Sequence, residues 1–187
     1  MPLESDRTVS GNSEAERLVT ASAAISGVAA VVGLIFITIF YSGVWIFGPL
    51  NDIAYTTQLL FTLPIVIFLN RRLRPKAGRT ARFLLPVGLI GLLAAISLQL
   101  LLIFGVLSFF EMIGPLLGSI VLVVVWFVLA ERIGRDDPIT PGGWALAVLA
   151  GLTFGYPVWA YLLIRNLKAE GTTGITRVET PSPEVMS

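Results

Sequence analysis

Five uninterrupted apolar stretches free of Lys, Arg, Asp and Glu dominate this chain, at residues 21–45, 53–69, 83–107, 113–130 and 144–164. A helix crosses about 30 Å of hydrocarbon with about 20 mostly apolar residues, and a charge at its centre costs about 2.5–3.5 kcal/mol. Lipid cannot hydrogen-bond an exposed amide, so spanning segments are helices or strands of a closed barrel. The apolar runs are continuous rather than alternating, which argues against barrel strands. The expected fold class is all-α, a polytopic membrane helix bundle of five transmembrane helices.

Composition points the same way. Only 13% of the 187 residues are charged, 55% are hydrophobic, and the mean hydropathy is +0.84. A soluble domain carries about 25% charged residues. The bundle is expected over residues 13–168, with residues 1–12 and 169–187 as polar, disordered tails. The amino-terminal tail does not read as a signal peptide, because its apolar run is too long and Glu4, Asp6, Glu14 and Glu16 accompany Arg7 and Arg17. Ser13 and Glu16 fit a capping box that would start the first helix near Glu14.

Orientation follows from the basic residues. Residues 70–82 hold Arg71, Arg72, Arg74, Lys76, Arg79 and Arg82 and no acid, whereas the connections at 41–52 and 108–112 hold no base. Short basic loops stay in the cytoplasm. Five crossings of a cell membrane would keep the amino terminus, the 70–82 segment and the 131–143 segment cytoplasmic. The carboxyl terminus would lie on the opposite side, with Arg165 and Lys168 as exceptions. The basic segment is also a candidate contact for anionic lipid headgroups, worth about 1 kcal/mol per residue. No folded basic domain accompanies it, so nucleic acid is not an expected partner.

A shift of 66 residues lays Gly48-Pro49-Leu50 on Gly114-Pro115-Leu116, together with matches such as Ala29 on Ala95 and Phe61 on Phe127. This weak repeat would make the bundle two duplicated helical hairpins plus a fifth helix. A Gly-Pro pair also suits any turn entering a helix. Four-residue spacing of small residues, at Gly114 and Gly118 and at Gly151 and Gly155, suits close helix packing, within the chain first and in a homo-oligomer or partner complex second. Pro64 and Pro157 should kink their spans.

Chemistry-bearing residues are sparse. The chain has no Cys and no His, which removes thiol and imidazole catalysis, disulfides and the usual metal and haem ligands. No Lys lies within a span, and no phosphate-binding glycine motif is present. An enzyme is not expected, nor is a cofactor or a metal site. Gln58, Thr62, Ser97 and Gln99 could line a polar cavity between the second and third helices. Asp52, Glu111 and Arg165 could form a charge cluster at the outer boundary, although Asp52 suits a helix N-cap. Thr140 and Pro141 read as the start of the fifth helix. The function expected first is a non-catalytic membrane subunit or scaffold packing against partner proteins or lipids. The alternative is a small transporter or permease component with its polar site between helices two and three.

Overall fold

The computed structural model describes the backbone of residues 4–178 and the side chains of residues 14–170 apart from 81, 82, 85 and 144. It contains six helices: α1 (Glu4–Tyr41), α2 (Phe47–Ala77), α3 (Ala81–Ile103), α4 (Phe109–Ile133), α5 (Trp144–Gly151) and α6 (Tyr156–Val178), with a 3₁₀ turn at Gly78–Thr80. Among the described residues four helices are long and apolar enough to cross a membrane, and α5 with α6 makes a fifth candidate only if the bent pair counts as one span.

The fifth expected span is not one straight helix. Between α5 and α6 the chain turns through 117°. The break follows from Gly151-Leu152-Thr153-Phe154-Gly155-Tyr156-Pro157, in which two glycines and a proline fall within seven residues. Pro157 therefore sits in the first turn of α6, where its missing N–H is no loss, rather than kinking a continuous helix. Thr153 takes a left-handed φ of 76° at the tip, the one non-glycine among the described residues to do so. The exposed-backbone problem is met locally: Leu152, Thr153 and Gly155 donate to Val148, Ala150 and Leu149 at 2.8–3.0 Å.

Helix α1 packs on α2 and α6, α2 on α3, α3 on α4, and α4 on α5. Helix α6 runs back along α1, with Tyr156 beside Ser26 and Ala160 against Gly27. Glu170 near its far end meets Arg72 of α2. The residues of α6 through Glu170 thus return to the end of the bundle that carries the basic segment, not to the opposite end as expected. That end also holds Arg17, Arg165 and Lys168, so the two apparent exceptions rejoin the other cations.

Other boundaries also differ. Helix α1 already runs from Glu4, ahead of the capping box expected at Ser13, so residues 4–12 are helical rather than a loose tail. Helix α6 continues through Val178, and residues 179–187 of the expected second tail lie outside the described residues. Gly143, not Thr140, precedes α5. The ends of the two hairpins pair Tyr41 with Ile103, the left-handed Gly43 with Gly105, and Phe47 with Phe109. That correspondence is one helical turn shorter than the shift aligning the Gly-Pro motifs, so Gly48-Pro49 opens α2 while Gly114-Pro115 lies inside α4.

Because lipid supplies no hydrophobic drive between helices, shape fit and polar contacts must hold them. Trp126 of α4 is buried against Gly88 of α3, where any Cβ would overlap the indole ring. Phe127 stacks edge-on against both Trp126 (5.0 Å between centroids) and Trp159 of α6 (4.9 Å). Gly151 lets α5 lie on the α4 backbone, since a Cβ there would stand 2.7 Å from the Val124 Cα. Gly155 packs on Leu149 across the break. Gly114 and Gly118, by contrast, face open space, so the packing within the chain expected of that pair does not occur. Gly151→Val should therefore destabilise the protein by about 1–3 kcal/mol, read as a lowered thermal-unfolding midpoint in detergent. Gly118→Ala should not lower it.

Candidate functional site

The buried polar groups collect where α1, α2 and the α5–α6 break meet. Tyr156, 1% exposed, donates to the Ser26 hydroxyl at 2.9 Å and contacts the Thr62 hydroxyl at 2.7 Å. Ser26 in turn donates to the Ser22 carbonyl at 2.7 Å, and Thr62 lies equally close to the Gln58 carbonyl. Helices α1, α2 and α6 are thereby joined through one phenol. Two turns along α2 from Thr62, Tyr55 reaches the side chain of Thr153 at the tip of the break. On the basic side of this cluster the Trp126 ring N–H points at the Asn70 side-chain oxygen at 3.4 Å.

Of the four residues expected to line a cavity, three are interior. Gln58 and Gln99 are 3% and 4% exposed, and the side-chain oxygen of each lacks a hydrogen-bond partner. They stand equally far along α2 and α3 from the 78–80 turn. Ser97 is exposed and points away from the interior, and Thr62 is engaged by α6 rather than α3. The polar centre is therefore shifted from the α2–α3 seam toward α1 and α6. Ser26 and Tyr156 were missed because a lone Ser and an interfacial-type Tyr carry no signal in a sequence unless the break beside Tyr156 is recognised.

The expected outer charge cluster is not assembled. Glu111 is exposed and forms a capping box with Ser108: its carboxylate accepts from the Ser108 N–H (2.8 Å) and hydroxyl (2.7 Å), while the Ser108 hydroxyl accepts from the Glu111 N–H. The Ser108-Phe-Phe-Glu111 spacing is itself the signature of that motif. Asp52 lies half-buried inside α2, which starts at Phe47, so it does not cap the helix. Arg165 is exposed on the part of α6 that returns to the basic end, one residue before Asn166, whose amide donates to the Ile139 carbonyl.

A different charged cluster closes the basic end. Asp137, 5% exposed, accepts from Arg72 Nε (3.1 Å) and Lys76 Nζ (3.0 Å), and Arg72 also donates to Glu170 at 2.7 Å. Helix α2, the 134–143 connection and α6 are tied together by these pairs. Burial opposes ionisation of Asp137, but the Lys76 hydrogen bond, the Ile139 N–H and the Arg72 and Lys76 charges outweigh it and hold the carboxyl below its ordinary value. Of the basic segment, Arg71, Arg74, Lys76 and Arg79 are exposed, Arg72 is half-buried, Arg72 and Lys76 pair with Asp137, and the Arg82 side chain lies outside the described residues. Among the described residues no three acids come together as metal ligands would.

The chain matches no protein-family model, no curated protein and no solved structure. Function must therefore be argued from the chain itself.

Tyr156→Phe should destabilise the bundle by about 0.6–2 kcal/mol, the worth of a cross-helix hydrogen bond, while Ser97→Ala should leave the unfolding midpoint unchanged. The Asp137 carboxyl, whose folded-state pKa lies below its unfolded one, contributes stability that is complete above about pH 3.9. That contribution disappears as pH falls through the folded-state value. Acidification below about pH 4 should therefore cost the wild type more stability than Asp137→Asn, measured by denaturation of both across that range.

Proposed function

We propose that this chain is a non-catalytic multi-pass membrane subunit or scaffold, acting through the faces it presents to lipids or partner proteins within the bilayer. The observation that supports this reading is the division of its polar groups. Hydroxyls in the interior are spent on joining α1, α2 and α6, while the ion pairs gather at one end of the bundle. An interior organised in this way serves to position helices. Exposed Leu117, Val121 and Val125 on α4, flanking Gly114 and Gly118, give one smooth apolar face of the kind that packs against another membrane helix.

In this reading the chain sits in the cell membrane with the basic end in the cytoplasm. The α5–α6 pair dips into the bilayer and returns, so both described chain ends are cytoplasmic. Exposed Arg74 and Arg79 meet anionic headgroups there. Because the chain has no native Cys, introduced thiols report on this arrangement cleanly. Cysteines replacing Arg79 and Arg165 should resist a membrane-impermeant thiol reagent added to intact cells, whereas one replacing Val106 should react. Labelling at Arg165 would reverse the placement of α6. Purification in mild detergent should yield a stable oligomer or a bound partner, and a strict monomer would count against the scaffold.

A second reading, a small-solute carrier, is favoured by a broken helix and, separately, by two buried amide oxygens without partners, since transporters build sites from interrupted helices. Gln58→Cys and Gln99→Cys distinguish the two. Both should stay inert to a polar thiol reagent in open membranes if the interior is packed, and reaction at both would favour the carrier.

A further inference from the structure

A groove of about 640 Å³ runs between α1 and α2 at the basic end, lined on α1 by Ala15, Glu16, Leu18 and Val19 and on α2 by Pro64, Ile67, Phe68, Arg71 and Arg72. Its composition is graded along the helices. Charged residues form the mouth, and apolar ones form the walls that lead toward the bilayer interior. Arg72 is committed to Asp137 and Glu170, which leaves exposed Arg71 as the cation that faces an incoming anion. Glu16 stands half-buried on the opposite wall. Pro64 lines the deep end, where it lacks the N–H that would otherwise donate to the Leu60 carbonyl.

We propose that this groove holds a phospholipid with an amino headgroup, such as phosphatidylethanolamine; the assignment rests on the membrane reading above. The phosphate sits at Arg71, the ammonium donates to the Glu16 carboxylate, and one acyl chain lies along Leu18, Val19, Ile67 and Phe68. Charge complementarity selects this occupant. A purely anionic headgroup would satisfy Arg71 but meet repulsion at Glu16, whereas a zwitterion with N–H donors satisfies both walls. Choline would present a cation but no donor. The site is distinct from general attraction of the 70–82 segment to an anionic surface, because it needs a residue from α1.

The test is native mass spectrometry of the full chain in detergent, titrated separately with phosphatidylethanolamine, phosphatidylglycerol and phosphatidylcholine of identical acyl chains. The wild type should retain the ethanolamine lipid best. Arg71→Gln should weaken that retention about fivefold, the effect of one basic residue near a headgroup, while Arg74→Gln should not. Glu16→Gln should abolish the preference for ethanolamine over choline and raise retention of phosphatidylglycerol. Ala15→Trp, which fills the groove from an exposed position, should displace all three, with helical content by circular dichroism confirming that the variants fold. Equal retention of the three lipids by the wild type would overturn the proposal, as would phosphatidylglycerol preference insensitive to Glu16→Gln. Membrane extraction run in parallel separates the two failures. A chain released by alkaline carbonate alone would overturn the membrane reading, and an embedded chain without lipid preference would overturn only the groove.

Discussion

In a bilayer the interior of a helix bundle has no water to fall back on, and that constraint governs this structure. Apolar surface gains nothing by leaving lipid for another helix, so α1, α2 and α6 are held where backbones approach closely and where a polar side chain on one finds a partner on the next. Tyr156 shows the consequence. Its phenol is too polar to face hydrocarbon alone, and it is buried because Ser26 and Thr62 stand on either side of it. Remove those partners and the same residue belongs at the interface, where an amphipathic ring ordinarily sits. The irregular backbone just before it obeys the same rule, since Leu152, Thr153 and Gly155 donate back to carbonyls at the end of α5 and Tyr156 donates to Thr153.

The fold class was legible because continuous uncharged runs leave a chain few alternatives, and the four long helices fall where those runs lie. The bend in the fifth run was not legible in its hydropathy, for a physical reason. Hydropathy reports what can be in lipid, not how straight it is, and residues 144–164 are as apolar bent as they would be spanning. The correct signal was conformational: Gly151, Gly155 and Pro157 loosen the helix within seven residues, whereas Pro64 is tolerated alone inside α2. A charge argument pointed the same way, because Arg165 and Lys168 sat on the wrong side of a five-span chain.

The candidate sites were legible only in part. Gln58, Thr62 and Gln99 are interior because an amide or hydroxyl in a span is driven away from lipid, which composition alone implies. Ser97 escapes the rule: a hydroxyl can return its proton to its own helix backbone, so it costs little on the lipid side. Glu111 is assigned to a charge cluster when residues 108–112 are read as a connection; once α4 is seen to start at Phe109, the Ser-x-x-Glu spacing accounts for it. The Arg72–Asp137–Lys76 cluster could not be read from order, because its members come from segments 61 and 65 residues apart.

Under the proposed re-entrant arrangement, that cluster would also fix the bent pair at the membrane surface. An apolar segment that turns back in the bilayer has both of its ends at the same interface, and each end must be fixed or the turn would straighten into a span. Asp137 fixes the entering end through Arg72 and Lys76, and Glu170 fixes the leaving end through the same Arg72. One guanidinium thus bridges both ends of the excursion. A lysine at position 72 could not do so equally well, because an ammonium is a point charge, whereas the Arg fork presents separate donors, Nε to one carboxylate and a terminal nitrogen to the other. Part of the charge of the arginine-rich segment is therefore spent inside the fold, holding the carboxyl-terminal helices in the returning arrangement that brings Tyr156 to Ser26 and Thr62.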